Sequence, residues 1–299
     1  MLIFRRHFAS EMATMAITFA ALCVGGCTLL FISGFIVREA YPVFFEDSNI
    51  FAFLISDPWA PFGNPPRFGI VHAWISTFII TFVSLLITVP LGLGIGLFLS
   101  EIAPLTVRTV LQPCLDMLAG IPSVVYGFFG YVTLVPLFEN LFGMATGESL
   151  LVAAIVLSFM ALPFIASTSA EAFRAVPDEL REAAMAQGVT RWYMVRRVVV
   201  TSAMSGMFAA VALGFARAIG ETLAVLMLAG NSIATPGSLL DRGQPLTALI
   251  ATELGEAGLG SSKYHALFAA GLTLMCVIVL INALIWHWKG RFVRRDAHA

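Results

Sequence analysis

Apolar residues in this chain gather in runs far longer than a soluble helix needs, separated by short polar interruptions. A helix of about 20 apolar residues is enough to cross the hydrocarbon core of a bilayer. Six runs reach that length, at roughly residues 12–37, 70–99, 107–138, 150–173, 198–228 and 266–288. The pattern predicts an all-α integral membrane protein with six transmembrane helices. The first run follows Arg5-Arg6-His7, is longer than a signal-peptide core and lacks a convincing cleavage site, so it is expected to stay as an anchor.

The polar interruptions differ in character. Residues 38–69 are rich in aromatics and prolines, which suits a loop lying at the membrane interface better than a folded domain. Residues 231–264 carry Leu246, Leu249, Ile250 and Leu254 at helical spacing, so a short amphipathic or re-entrant helix is expected there. Between the fourth and fifth runs stands Leu180-Arg-Glu-Ala-Ala-Met-Ala-Gln-Gly188. Pro177 suits the first turn of a helix, and Asp178 and Glu179 favour its positive N-terminus. Gly188 can close that helix in a left-handed conformation, and Thr190 can cap a second one starting near Arg191. A small helix-turn-helix on a membrane protein reads as a docking knob for a soluble partner.

Charge gives the orientation. Of the seventeen Lys and Arg residues, Arg38, Arg67, Arg242 and Lys263 fall on one side and Arg217 falls within a span. The other twelve, among them Arg5, Arg6, Lys289, Arg291, Arg294 and Arg295, share the side of the N-terminus. The positive-inside rule makes that side cytoplasmic, with both termini and the Glu182 turn inside. Composition agrees: 59% of the chain is hydrophobic and only 12% charged, about half the usual share of a soluble protein. A net charge of −1 offers no basic surface to nucleic acid. Cys23, Cys27, Cys114 and Cys276 all lie in spans, so free thiols are expected, with neither a disulfide framework nor a metal site.

Breakers and charges inside the spans carry the candidate chemistry. Pro90, Pro113, Pro122 and Pro163 each remove a backbone bond, and Gly92, Gly94, Gly96, Gly206, Gly214 and Gly220 allow close helix contact. Together they favour a pathway-forming protein over a simple anchor. Arg217 and Glu221 lie four apart in the fifth run and are expected to pair on one helix face. Asp116 lies in the third, on the inner side of Gly120-Ile-Pro122. Intramembrane charges are costly unless paired or hydrated, and mark functional sites by default. A guanidinium offers a planar fork of donors suited to oxyanions and never loses its charge. Glu221 would repel a bare dianion yet can accept a hydrogen bond from a protonated oxygen, which favours phosphate over sulfate. Asp116 either faces the inner vestibule or balances a nearby arginine.

Other chemistries are poorly served. Lys263 and Lys289 are the two lysines, and neither sits in a phosphate-binding Gly-x4-Gly-Lys loop. Hydrolysis of ATP by that route needs a separate chain. Histidines fall at termini or span edges, which leaves an intramembrane hydrolase without a base.

The stretch Glu182-Ala183-Ala184-x3-Gly188 resembles the Glu-Ala-Ala loop of ABC-importer permeases, which docks on an ATPase subunit. The family pattern continues as Ile-x-Leu-Pro. Here it reads Val198-Val-Val-Thr201, which leaves the bend after the loop without its usual proline. Asp116-Met-Leu-Ala-Gly-Ile-Pro-Ser-Val-Val-Tyr-Gly127 and Gly214-Phe-Ala-Arg-Ala-Ile-Gly-Glu-Thr-Leu-Ala-Val225 look like signature stretches of phosphate-importer permeases of the PstC type. Those permeases commonly carry a glutamate where Asp116 stands. The resemblance runs from about residue 70 to 288.

It implies a MetI-like, type I ABC importer permease with both termini inside. Residues 1–69 would form the first helix and outer loop, and 70–299 the permease core with a coupling loop at about 175–197. Partners would be a second permease of the PstA type, a pair of ATPase subunits holding ATP and Mg²⁺, and an outer phosphate-binding protein in a bacterial inner membrane. The chain itself would bind no cofactor and catalyse no reaction. Arg217 and Glu221 match the charged pair the family is thought to use in translocation. Two other readings stay open at this point: a permease for molybdate, tungstate or sulfate, and an ion-coupled secondary transporter. The latter would need no ATPase and would favour an inverted repeat, and none is evident.

Overall fold

A computed structural model describes residues 2–45, 50–56 and 58–296, with side chains described for 14–45, 51–56 and 58–287. Arg5, Arg6, Lys289, Arg291, Arg294 and Arg295, on which the orientation partly rests, have side chains outside the described residues. Helix α1 (Leu2–Phe45) is followed by α2 (Ile50–Ile55) and a small hairpin of β1 (Trp59–Ala60) and β2 (Arg67–Phe68). Next come α3 (Val71–Leu97), ending in a π-helical turn (Phe98–Ile102), α4 (Leu105–Gly120), α5 (Ser123–Phe142) and α6 (Leu150–Arg174). The cytoplasmic turn is α7 (Asp178–Ala186) and α8 (Arg191–Met194), continued by a π-helical turn (Val195–Val199) and α9 (Val200–Ser202). Then follow α10 (Met204–Ile219), α11 (Leu223–Leu228), α12 (Leu246–Glu253) and α13 (Ser262–Asp296). Among the described residues five helices are long and apolar enough to span a membrane, and the bent α8–α10 segment makes a sixth.

Helix α6 is the centre of the bundle. Two thirds (67%) of its apolar window is buried, against none of α1's. Lipid tails are as apolar as leucine, so helices in a bilayer associate through close packing and interhelical hydrogen bonds rather than through a hydrophobic drive. The α3–α6 contact uses both. A Cβ on Gly92 would lie 2.8 Å from Ile165, and one on Gly96 only 2.1 Å from the Ser169 hydroxyl. Thr88 donates across the interface to the Ser158 carbonyl at 3.1 Å. Gly206 and Gly214 are equally tight, against Ala172 and Ile165, whereas Gly94 faces open space and Gly220 meets only its own chain. The small-residue reading therefore holds for four of these six glycines.

Two of the six expected runs are divided. Residues 107–138 do not form one span. Ile121 is extended (φ −69°, ψ 128°), because the ring of Pro122 disfavours helical geometry in the residue before it. Only α5 crosses, and α4 stands as a separate helix. Pro90 and Pro163, by contrast, lie within α3 and α6 without ending them. Residues 198–228 break twice. At Ala203 the segments Arg191–Ser202 and Met204–Ile219 meet at 66°, although no proline stands there. A π-helical turn at Val195–Val199, a feature that shifts the hydrogen-bond register of a helix, lies within the first of these segments just before the bend. The second break, at Gly220–Thr222, lies in the candidate site.

The outer connections are more ordered than expected. Helix α1 runs on to Phe45, so residues 38–45 are helical and not loop. Phe53, Trp59 and Ile70 are buried against Leu246, Leu249 and Leu267, which makes the aromatic segment a packed cap on the bundle. The helix expected in 231–264 is α12, but Leu246, Ala248 and Leu249 are fully buried, so it is part of the core. Lys263, nearly buried, pairs with Glu253 at 2.6 Å and lies over the Phe62 ring, holding this cap together. The four cysteines are free thiols on exposed faces.

Candidate functional site

The two charges of the fifth run meet, though not on a helix face. Helix α10 ends at Ile219, and the chain passes through Gly220, Glu221 and Thr222 before α11 begins. Arg217 occupies the last turn of α10, where the free carbonyls carry partial negative charge that favours a cation. Its Nη1 lies 3.3 Å from Oε2 of Glu221, with the carboxylate side chain 4% exposed and the guanidinium 37%. The other carboxylate oxygen accepts from the Ala224 N–H at 3.4 Å, at the start of α11. The Glu221 carbonyl accepts from the Thr247 hydroxyl at 2.8 Å, tying the break to α12. The Arg217 guanidinium carbon stands 5.7 Å over the Phe164 ring of α6. Its Nε is buried and has no hydrogen-bond partner among the described residues. A buried, anchored carboxylate thus faces a half-exposed guanidinium that keeps donor capacity in reserve.

Asp116 is elsewhere. It is exposed on α4 and accepts a 3.4 Å hydrogen bond from the Gln112 amide, one turn back. The oxygen of that amide accepts from Arg174, at the end of α6, at 3.1 Å. Gln112 thus stands between Asp116 and Arg174, and among the described residues no direct contact joins Asp116 to an arginine. Among the described contacts nothing brings Asp116 to Arg217 or Glu221.

The cytoplasmic turn has the capping its residues call for. Pro177 immediately precedes α7, Gly188 takes φ +77°, and the Thr190 hydroxyl accepts from the Tyr193 N–H at 3.3 Å. Ala184 packs on Phe173, Val176, Met194, Val195 and Val199, whereas Glu182, Ala183 and Gly188 are exposed. Helix α7 has no buried residue. Leu180 and Met185 of α7 and Trp192 and Tyr193 of α8 are 44–61% exposed, large apolar side chains left open on the turn. Glu101, in the π-helical turn closing α3, escaped the sequence reading. It is 8% exposed and pairs with Arg181 of α7 at 2.9 Å. An acidic residue at the inner end of a span was its only signal, and nothing local named its partner.

These features define a class: a multi-pass helical membrane protein with a charged break in one span and an exposed helical turn on its cytoplasmic face. Residues 89–295 match the family model described as binding-protein-dependent transport system inner membrane component. The chain is 42% identical over 239 residues to the probable ABC transporter permease protein YqgH of Bacillus subtilis, covering 80% of this chain and 77% of that one. It is 35% identical over 252 residues to the phosphate transport system permease protein PstC of Haemophilus influenzae, covering 78% and 79%. Among solved structures it resembles a chain of a bacterial alginate ABC transporter (TM-score 0.64, 16% identity, covering 92% of this chain and 94% of that one). A chain of the MetNI methionine ABC transporter gives a TM-score of 0.54 at 23% identity, covering 76% and 95%. The chain belongs to the binding-protein-dependent transport system inner membrane component family. It is a multi-pass inner-membrane protein with the fold of ABC importer permeases.

Proposed function

We propose that this chain is the permease subunit of an ATP-driven phosphate importer. The observation that carries the substrate is the Arg217–Glu221 pair at the α10–α11 break, in a chain whose relatives include phosphate permeases. Arg217 attracts the oxyanion through the exposed edge of its guanidinium. Glu221, held at 3.3 Å from the cation, repels a bare dianion and accepts a hydrogen bond from a protonated oxygen, which phosphate offers near neutral pH and sulfate does not. Asp116, with Gln112 and Arg174, tunes the inner mouth of the pathway.

ATP is hydrolysed on a separate chain. Glu182, Ala183, Ala184 and Gly188 form the coupling loop that an ATPase dimer holds, with ATP and Mg²⁺ bound there and not on the permease. A second permease of the PstA type completes the pathway, and an outer phosphate-binding protein delivers the anion. Closure and reopening of the ATPases move the docked loop and switch the pathway between its outward- and inward-open states, a rigid-body transition.

The test is ATP-dependent uptake of labelled phosphate by the complex reconstituted in liposomes, with sulfate and arsenate as competitors. Arsenate should compete and sulfate should not. Glu221→Gln should admit sulfate competition, and Arg217→Ala should lower uptake more than tenfold. Near-normal phosphate uptake in both variants sinks the assignment of the pair, and a wild-type complex that recovers no ATPase under gentle detergent sinks the ATP-driven reading.

A further inference from the structure

The inner end of α3 gathers more arginines than its length explains. Arg108 donates from Nε to the Leu99 carbonyl at 2.9 Å and from Nη2 to the Ser100 carbonyl at 2.7 Å. Arg191, at the start of α8, donates to the Glu101 carbonyl at 2.6 Å. Arg181 of α7 donates to the Glu101 carboxylate at 2.9 Å, and the Ser100 hydroxyl donates to the same oxygen at 2.9 Å. Arg181 also donates to the Phe173 carbonyl at 2.8 Å and to that of Val176, and pairs with Asp178 at 2.8 Å. Three arginines thus converge on one π-helical turn, and two of them come from the two sides of the exposed cytoplasmic turn.

This geometry has a mechanical reading. Helix α7 has no buried residue and depends for its position on polar links and on Ala184. Its largest buried link is Arg181, whose side chain is 17% exposed, to Glu101, whose side chain is 7% exposed. The pair is sheltered from the solvent screening that makes surface ion pairs weak. Helix α3 packs tightly along α6 at Gly92 and Gly96, so a pull on residue 101 moves a rigid element.

We propose that Glu101 is the positioning residue through which motion of the α7–α8 turn is delivered to α3, its side chain gripping α7 and its carbonyl gripping α8. The inference rests on the coupling reading given above. It adds that force enters the transmembrane bundle at the end of α3 as well as along the chain through α6 and α9. Glu101→Gln keeps the shape and the link to Ser100 but removes the buried carboxylate charge that faces Arg181, leaving the exposed Asp178 as its charged partner. The loop stays attached and docks an ATPase, but its movement is no longer faithfully passed on.

The experiment measures phosphate uptake and ATP hydrolysis together in liposomes holding the full complex. Networks of this kind shift coupling by roughly threefold to thirtyfold. The expected result is a fall of that order in phosphate moved per ATP for Glu101→Gln and for Arg181→Gln, with ATPase still co-purifying. The double variant should lose no more than either single one, because residues acting through one contact are not additive. A wild-type ratio in Glu101→Gln, or multiplicative losses in the double variant, overturns the proposal. If Glu101→Gln fails to assemble, Arg181→Gln decides alone; assembly with a lowered ratio supports the role, and assembly with a wild-type ratio overturns it. A wild-type complex without ATP-dependent uptake would instead count against the importer reading itself.

Discussion

Replacing Arg217 by alanine leaves the Glu221 carboxylate, 4% exposed, without the cation that stands 3.3 Å away. Removing one partner of a buried ion pair costs about 3–5 kcal/mol, because the other charge stays desolvated. Two features lower that figure here. The guanidinium is 37% exposed, so water screens part of the attraction, and the Ala224 N–H still serves the carboxylate at 3.4 Å. The expected loss is about 2 kcal/mol, on the order of 5 °C in melting temperature. Adding Glu221→Gln removes the stranded charge while keeping an oxygen for Ala224, so the double variant should melt within roughly 2 °C of wild type. Its phosphate uptake should stay as low as that of Arg217→Ala, since the anion has lost its cation. Melting is best followed by fluorescence size-exclusion after heating in detergent. The reasoning fails if Arg217→Ala melts with the wild type, or if the double variant melts no higher than the single one.

Other substitutions separate packing from docking. Gly96→Ala places a methyl 2.1 Å from the Ser169 hydroxyl and should cost about 1–3 kcal/mol, whereas Gly94→Ala, with nothing within 4 Å, should be neutral or gain about 0.5 kcal/mol, both read by the same melting assay. Glu182→Ala removes an exposed side chain, so the melting temperature should not change; recovery of the ATPase on co-purification should fall severalfold, and full recovery would detach Glu182 from docking. Gly188→Ala strains a backbone at φ +77° by about 1 kcal/mol and should lower uptake without emptying the membrane of protein, as measured by immunoblot against uptake rate.

The bundle's spanning segments, its cytoplasmic turn and its charged pair were legible because each rests on something local. A span is read from some 20 consecutive apolar residues, a cap from one hydroxyl three residues ahead of an N–H, an ion pair from a spacing of four. Thr190 and Gly188 have the local geometry their neighbours suggest, and Arg217 meets Glu221 at the expected spacing although the helix ends between them. Hydropathy is blind to breaks inside an apolar run, which is why 107–138 and 198–228 read as single spans. Pro122 was visible as a breaker, but so were Pro90 and Pro163, which stay inside unbroken helices.

What remained was decided by tertiary structure alone. Glu101 meets Arg181 across 80 residues and Arg191 across 90, and Gln112 meets Arg174 across 62. No periodicity or capping rule spans such separations; only the packing of α3 and α4 against α6 brings these side chains within hydrogen-bonding range. The 66° bend at Ala203 likewise appears without the proline that would have announced it. Local chemistry in the chain determined that this is a membrane protein with a capped polar turn and a charged pair inside one apolar run. Long-range packing decided how the turn is fastened to the bundle, because a contact exists only where two distant segments are held at the same place.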